Sequence, residues 1–261
     1  MNQDVNSRIK DHLSAYKANV LKIEANGVWK KNGQEYSHIL PENDYEKNIL
    51  SSEFHQEILN EIKNIKLHPD FHHLNSSQAM CFNLFSPLFL TKNFDIVLGL
   101  IKNESEHIIN HEFEHIEDVT EKTNFDLYAK TSQSRYYFEV KYSEDGFQST
   151  TDDERHIKKY NEIYKTRLSI FNNLDQKTFF DNYQLFRNMI YCTNGYITFV
   201  FPSFRNDLKE KVVEIKEKFC TNDQKQKIFI LTVEEIVNKS ITLGDKKLNN
   251  HYSLFKEKYF I

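Results

Sequence analysis

Apolar residues in the first hundred positions recur at the three- and four-residue spacing of amphipathic helices. A further run, "NSSQAMCFNLFSPLF", is apolar nearly all round, so it predicts a buried helix capped by Ser76 or Ser77 and ending near Pro87. Between the first two helices, "VWKKNGQEYSHIL" predicts a hairpin with a tight turn at Asn32-Gly33. The three amphipathic stripes are Ile9-Leu13-Tyr16-Val20-Ile23, Phe54-Ile58-Ile62-Ile65 and Phe94-Val97-Leu98-Ile101.

The pattern changes to short β-rich runs after residue 106. "HIINHEFEHIE", "TNFDLYAK" and "RYYFEVKYSE" predict three strands of a meander, because polar connections separate them. Two helices are predicted next, from Asp153 to Phe171 and from Thr178 to Tyr191. The helix from Asn206 to Phe219 lies between the apolar runs "YITFVF" and "KIFILTV" and predicts a crossover between strands of one sheet. The chain is therefore expected to be an α/β protein.

Composition and charge limit the class of protein. Of the 261 residues, 28% are charged and 39% are hydrophobic, which is typical of a folded domain. The longest apolar runs fall short of the roughly 20 residues that cross a bilayer, and the charged start "MNQDVNSRIKDHL" does not resemble a signal peptide. We therefore expect a cytoplasmic protein without a membrane partner. The net charge of -4 argues against general coating of nucleic acid but permits a local basic groove.

The stretch "HEFEH" spells the H-E-x-x-H pattern of zinc peptidases. On a helix, His111 and His115 would hold a zinc ion and Glu112 would activate its water. On a strand, Glu112 and Glu114 would instead share one face. Periodicity does not decide between the two, but the negative charge of Glu114 inside the motif argues against the peptidase.

A second group of polar residues lies on two neighbouring predicted strands. Asp126 is in "TNFDLY", and Glu139 and Lys141 are in "YFEVKY". Residues two apart on a strand face the same way, so Glu139 and Lys141 share a face that Asp126 can reach from the preceding strand. Two carboxylates supply the hard oxygen ligands that Mg²⁺ prefers, and the ammonium can stabilise a phosphate anion. The cluster suits phosphodiester hydrolysis, although a lysine beside two acids can also form a simple salt bridge.

The E-x-K tripeptide is not specific by itself. It also occurs at Glu61-Ile62-Lys63 and Glu214-Ile215-Lys216, both in helix-like segments. Only Glu139-Val140-Lys141 follows a strand that carries an acid. With Asp126, and with Phe125 in place of the name-giving proline, this arrangement resembles the PD-(D/E)XK nuclease superfamily. The blocks "GVW", "NGQEYSHILP", "LNSSQAMCFNLFSPL", "FEVKYSE" and "NYQLFRNMIY" resemble a group of small bacterial restriction-endonuclease-like proteins in that superfamily.

The resemblance implies a Mg²⁺-dependent (or Mn²⁺-dependent) endonuclease. Asp126 and Glu139 would bind the metal, Lys141 would be the catalytic lysine, and water would attack the phosphate. An additional acid is expected from an earlier element. Our candidate for it is Glu114, and its competitors are Glu112, Glu53 and Glu57.

The resemblance also implies the fold and the partners. We expect a restriction-endonuclease-like α/β fold with a mixed central sheet flanked by helices. Residues 1–50 would form an N-terminal helix and hairpin extension, and residues 51–261 the nuclease-like domain. The expected substrate is double-stranded DNA, and a homodimer is expected because cutting two strands usually requires two sites.

Four residues are candidates for contacts with the nucleic acid. Gln184 and Arg187 in "NYQLFRN" occupy the place where related nucleases put a polar helix residue against the active site. Lys158 and Lys159 belong to the basic segment "DDERHIKKYNEIYKTR", which could grip the DNA backbone or form a solvated helix face. The remaining alternatives are the zinc peptidase and a catalytically inactive DNA-binding protein on the same fold.

Overall fold

A computed structural model describes residues 2–102 and 106–261 of the chain, with side chains from residue 5 onward. The chain divides into two compact units. The first contains Met1–Glu106, Val140–Ser143 and Thr232–Ile261, and the second contains His107–Glu139 and Glu144–Leu231. The boundary predicted at residue 50 therefore lies inside the first unit. No single helix in the described ranges is long and apolar enough to cross a membrane. The helices at Ser77–Leu90 and Asp95–Lys102 pass that test only as a pair bent by 108°.

The first unit is mainly helical, and its predicted amphipathic helices are confirmed. Its helices are α1 (Asn2–Asn19), α2 (His55–Ile62), α3 (Ser77–Leu90) and α4 (Asp95–Lys102), joined by two from the end of the chain described below. The predicted hairpin is formed by β1 (Gly27–Trp29) and β2 (Gln34–Tyr36), which pair antiparallel. A 3-10 helix, Glu42–Asn48, leads into α2.

Two local predictions in the first unit are wrong. Helix α3 does not end near Pro87 but continues to Leu90, because a proline near the end of a helix removes only one of the last hydrogen bonds. The hairpin turn spans four residues between Trp29 and Gln34. Gly33 has a positive φ of 71°, whereas Asn32 does not, so this is not a two-residue primed turn. The predicted cap is confirmed, since the Ser76 hydroxyl accepts a hydrogen bond from the Ala79 N–H.

A buried polar network joins the chain end to the core of the first unit. His251 lies on the last helix, fully buried. Its Nε2 is 2.7 Å from the Asn83 carbonyl oxygen and its Nδ1 is 2.7 Å from the Ser52 hydroxyl oxygen. A neutral imidazole satisfies both contacts, with Nε2–H donating and Nδ1 accepting. Burial lowers the pKa of His251 to about 4, although the Asn83 carbonyl and the charge of Glu53 oppose this shift.

This histidine should make the stability of the first unit depend on pH. In the unfolded chain it binds a proton below its ordinary pKa of 6.5, whereas in the folded chain it stays neutral down to about pH 4. The free energy of unfolding should therefore fall as the pH drops from about 6.5 to about 4. In urea denaturation at several pH values, His251→Gln should reduce this fall by about 2–3 kcal/mol. An equal pH dependence in the variant and the wild type would contradict this assignment.

The second unit is built on a mixed five-stranded sheet in which β3, β4, β5, β6 and β7 are neighbours in that order. Strands β3 and β4 pair antiparallel, as do β4 and β5, so the predicted meander is confirmed. The two predicted apolar runs form the last two strands, with the predicted crossover helix between them. The strands are β3 (Asn110–Ile116), β4 (Asn124–Lys130), β5 (Arg135–Val140), β6 (Tyr196–Phe201) and β7 (Ile228–Thr232).

Helices flank this sheet, as predicted. One helical segment starts at α5 (Glu154–Lys159), passes through a π-helical turn (Tyr160–Tyr164) and continues as α6 (Lys165–Arg167) and a 3-10 turn (Leu168–Ile170). The others are α7 (Gln176–Asp181), α8 (Tyr183–Met189) with its 3-10 extension Ile190–Thr193, α9 (Asn206–Phe219) and α10 (Asn222–Lys225). The last two helices of the chain, α11 (Val233–Ile241) and α12 (Lys246–Tyr259), belong to the first unit.

Candidate active site

The carboxylate of Glu139 is held inside the second unit by two side-chain amides from α8. Its Oε1 accepts a hydrogen bond of 2.7 Å from Gln184, and its Oε2 accepts one of 2.9 Å from Asn188. Glu139 is 4% exposed and Asn188 is 2% exposed. Neutral donors orient a carboxylate without cancelling its charge. The two amides thus fix the direction of a buried carboxylate at the end of β5.

The orientation of the Gln184 amide is itself fixed by the backbone. The Gln184 Oε1 accepts a hydrogen bond from the Gln148 N–H at 3.2 Å, and the Gln184 N–H donates to the Gln148 carbonyl at 3.0 Å. Since the amide oxygen is used by Gln148, the amide nitrogen must point at Glu139. The network of contacts around Glu139 therefore extends to Gln148, a loop residue that has no charge of its own.

Four polar side chains lie on one face of α8 and its 3-10 extension. Gln184, Arg187, Asn188 and Tyr191 follow the i, i+3, i+4, i+7 spacing that puts side chains on one stripe of a helix. Leu185, Phe186 and Met189 lie off this stripe and are buried in the hydrophobic core of the unit. This amphipathic pattern is unusual because the polar stripe is also turned inward.

Asp126 and Lys141 lie near Glu139 along the chain and the sheet. The pairing of β4 with β5 includes Leu127 opposite Phe138, and the next residues on the two strands are Asp126 and Glu139. Asp126 is partly buried. Lys141 is 6% exposed and directly follows the end of β5, in the segment Val140–Ser143 that belongs to the first unit. Among the described residues, no three His, Cys, Asp or Glu side chains are grouped so that they could hold a metal ion.

Glu114 has a left-handed backbone in the middle of β3. Its φ is +55°, and the pairs Phe113 with Leu127 and His115 with Phe125 on either side place it opposite Asp126. Its carboxylate accepts a hydrogen bond from the Asn124 side chain. A positive φ costs a residue with a side chain of order 1–3 kcal/mol, and such strain clusters at functional sites.

The strain at Glu114 changes which way the following residues point. Glu112 pairs opposite Tyr128, and the His115 ring stacks on Tyr128 with centroids 4.2 Å apart. The Glu112 Oε2 is 2.7 Å from the His115 Nδ1. Residues three apart in a regular strand face opposite ways, so the left-handed residue has brought Glu112 and His115 to one face.

This geometry decides the "HEFEH" question. His111 shares the opposite face with Phe113, whose ring it meets edge-on at 6.1 Å. His115 is held between Glu112 and Glu117 on the other face, with the Glu117 Oε2 3.0 Å from its Nε2. Two imidazoles on opposite faces of one strand cannot bind one ion. The zinc-peptidase alternative is therefore wrong, because the stretch is a strand.

The strain at Glu114 can be measured with two variants. Glu114→Gly and Glu114→Ala both remove the carboxylate and its hydrogen bond to Asn124. In a regular strand the glycine variant would be the less stable, but at a positive φ glycine relieves strain that alanine retains. We expect the glycine variant to be more stable than the alanine variant by about 1 kcal/mol in denaturant unfolding. The opposite order would show that Glu114 is not strained.

Glu121 is a site residue that the sequence interpretation missed. It is fully buried, and its carboxylate accepts hydrogen bonds from Arg187 at 2.7 Å, Tyr164 at 2.5 Å, Tyr191 at 3.0 Å and the Thr123 N–H at 2.7 Å. Burial by itself would raise its pKa, but Arg187 and the hydrogen bonds outweigh burial and lower it. Glu121 lies in the polar connection "DVTEKT", and no periodicity there distinguishes it from a solvated acid. The Arg187 guanidinium is thus engaged by a carboxylate inside the unit.

The predicted basic segment is only partly exposed. Lys158 is exposed, with its Nζ 3.9 Å from Glu162. Lys159 donates a hydrogen bond of 2.8 Å to the Glu121 carbonyl and lies over the Tyr164 ring. Burial lowers the pKa of Lys159, and the positive charges of Arg187, Arg155 and Lys122 lower it further. Cations therefore crowd together beside Glu121.

The competitors of Glu114 for the additional acid lie in different places. Glu112 is bound to His115 on β3, as described above. Glu57 lies in the first turn of α2 and Glu53 accepts a hydrogen bond of 2.9 Å from Asn250, both in the first unit. Of the four acids, Glu114 is the one opposite Asp126 on the neighbouring strand.

Comparison with known proteins gives one family. The model of the family described as "Restriction Endonuclease associating with ARP" matches residues 10–260. The chain belongs to this family. The match covers both compact units, so the restriction-endonuclease-associated family includes the helical first unit as well as the sheet. No curated protein and no solved structure matches the chain.

Proposed function

We propose that this member of the restriction-endonuclease-associated family is a divalent-metal-dependent DNA endonuclease of the PD-(D/E)XK type. The observation that carries the proposal is the buried carboxylate of Glu139, which Gln184 and Asn188 hold in one orientation. A metal ligand has to keep one direction, and its hydrogen-bonding partners supply that direction. The family supports a role in restriction or a related defence process.

The side chains suit Mg²⁺ or Mn²⁺. Asp126 and Glu139 offer hard carboxylate oxygens from adjacent strands, and the amide donors leave the negative charge of Glu139 in place. In this proposal Asp126 and Glu139 hold the ion, and Glu114, whose carboxylate accepts a hydrogen bond from Asn124 in the structure, is the additional acid that would approach the ion on binding. When bound, the ion would lower the pKa of a water molecule, and its positive charge would stabilise the phosphate in the transition state.

The chain's own residues supply the remaining chemistry. Lys141 would orient the attacking water and donate hydrogen bonds to the phosphate oxygens, whose negative charge increases in the transition state. Water is the nucleophile, so no covalent bond forms between the DNA and the protein. The proposal includes double-stranded DNA as substrate and a homodimer as the active form, because each site cuts one strand.

Cleavage of supercoiled plasmid tests the proposal directly. With Mg²⁺ the wild type should nick or linearise the DNA, and chelation should stop it. Glu139→Gln and Lys141→Ala should each lower the rate by at least about 100-fold, because the first weakens metal binding and the second removes a positive charge that stabilises the transition state. Rates are measured by gel electrophoresis beside circular dichroism spectra that confirm folding.

A matched control is available in the E-x-K tripeptide of α9, Glu214-Ile215-Lys216. Glu214→Gln changes the same residue type in an exposed part of α9 and should cleave at the wild-type rate. Full activity in folded Glu139→Gln or Lys141→Ala would refute the proposed site.

We further propose that Lys122 and Arg155 contact the DNA backbone, with Lys158 beside them. Arg155 and Lys159 are one turn apart on α5, and Lys159 binds the carbonyl of Glu121, the residue before Lys122. Lys122 and Arg155 are exposed, and neither forms an ion pair within the described residues. Arg187 is less suited to a phosphate contact because Glu121 already neutralises it. We call the group of Lys122, Arg155 and Lys158 the cationic patch.

The cationic patch predicts a change in the salt dependence of DNA binding. Lys122→Gln combined with Arg155→Gln should weaken binding to all sequences equally. The slope of log K against log salt concentration should fall by about 2, one for each lost phosphate contact. Fluorescence anisotropy with Glu139→Gln as the background avoids cleavage during the measurement. Lys177→Gln, which removes an exposed lysine paired with Asp181 on α7, should leave the slope unchanged. An unaltered slope in the double variant would show that the DNA lies elsewhere.

A catalytically inactive DNA-binding protein is the second candidate. It is favoured by the internal contacts, since Gln184, Asn188 and Arg187 all have partners inside the second unit. This candidate predicts salt-dependent DNA binding without cleavage under Mg²⁺ or Mn²⁺. The plasmid and anisotropy experiments together separate the two functions.

A further inference from the structure

Two buried carboxylates contact the same stripe of α8. Gln184 and Asn188 bind Glu139, while Arg187 and Tyr191 bind Glu121. The four positions alternate between the two acids along one face of the helix and its 3-10 extension. Contacts that fix Arg187 and Tyr191 therefore also fix where the Gln184 and Asn188 amides lie along and around the helix axis.

Glu121 is anchored independently of that helix. Its Oε2 accepts a hydrogen bond from the Thr123 N–H, and its own N–H is 3.2 Å from the Asp118 Oδ1. Tyr164 reaches its Oε1 from the π-helical turn, and Lys159 binds its backbone carbonyl. Its own loop and the helical segment that starts at α5 thus hold Glu121 in place without any contact from α8.

We propose that Glu121 is a positioning residue, which sets α8 through Arg187 and Tyr191 so that Gln184 and Asn188 hold the carboxylate of Glu139 in its metal-binding orientation. The inference rests on the proposed function for the role of Glu139. Glu121 itself does not touch metal or DNA in this scheme.

The geometry leaves little tolerance. Hydrogen bonds to the Glu139 oxygens are 2.7 and 2.9 Å long, and they weaken steeply as donors move off line. A small rotation of α8 would separate both amides from Glu139 at once, since they lie on one stripe. Loss of outer contacts of this kind typically lowers the metal affinity of a site.

The test uses the double variant Glu121→Gln, Arg187→Met in the full chain. Removing both charges avoids leaving either of them buried without a partner, so the variant is expected to fold. The first readout needs no metal. It is the rate of hydrogen exchange of the Gln184 and Asn188 side-chain amides, measured by NMR. In the wild type these protons should exchange slowly, and in the double variant they should exchange at least about 10-fold faster, because their acceptor is no longer aligned.

The second readout is the affinity for Mn²⁺ in the absence of DNA, measured by calorimetry. The dissociation constant should rise about 10- to 100-fold in the double variant. Arg135→Met is the matched control. It removes an arginine paired with Glu117 at the other end of β5 from Glu139, and both readouts should stay at wild-type values.

The outcomes separate the positioning role from the proposed function. Amides that remain protected in a folded double variant, with unchanged Mn²⁺ affinity, would overturn the positioning role. A wild type that binds no Mn²⁺ and cuts no DNA would refute the proposed function, while amide exchange would still decide whether Glu121 sets α8. If the double variant does not fold, Arg187→Lys replaces it. This variant keeps the positive charge but loses the guanidinium geometry, so faster amide exchange supports the role and unchanged exchange overturns it.

Discussion

The second unit depends on how it accommodates buried carboxylates. Moving a carboxylate out of water costs several kcal/mol, and only well-placed donors and cations offset that cost. For Glu121 the donors come from Arg187, two tyrosines and a backbone N–H, and for Glu139 they come from two amides. Since α8 and its 3-10 extension contact both acids, the position of the helix is determined by these polar contacts as well as by the packing of its apolar side chains.

The same constraint explains why the two acids have different surroundings. Glu121 meets a guanidinium, which lowers its pKa and neutralises its charge. Gln184 and Asn188 hold the two oxygens of Glu139 through neutral side-chain amides. An acid that serves as a structural anchor is best paired with a cation, whereas an acid intended for a metal ion must keep its charge for the ion. The ion pair with Arg187 supports the anchoring role that we propose for Glu121.

Much of the fold could be predicted from the sequence, because hydrophobic periodicity reflects burial. The three meander strands, the crossover and the stripe of α2 were all visible in this way. Glu139 was found because an E-x-K tripeptide lies on a strand that follows an acidic strand. Glu121 could not be found, since three side-chain contacts from distant segments create its environment and no local pattern encodes them. The positive φ of Glu114 was also hidden, because glutamate has no preference for that conformation.

Short motifs in this chain take their meaning from backbone geometry. In α9, Glu214 and Lys216 lie about 200° apart around the helix axis, so they cannot act on one ligand. In "HEFEH", one left-handed residue turns His115 toward Glu112 and away from the face that carries His111. The letters of a motif therefore indicate chemistry only when the backbone brings the side chains to one surface. Glu139 meets that condition through β5 and α8, and this is why its carboxylate, rather than the histidine pair, is the stronger basis for assigning a function.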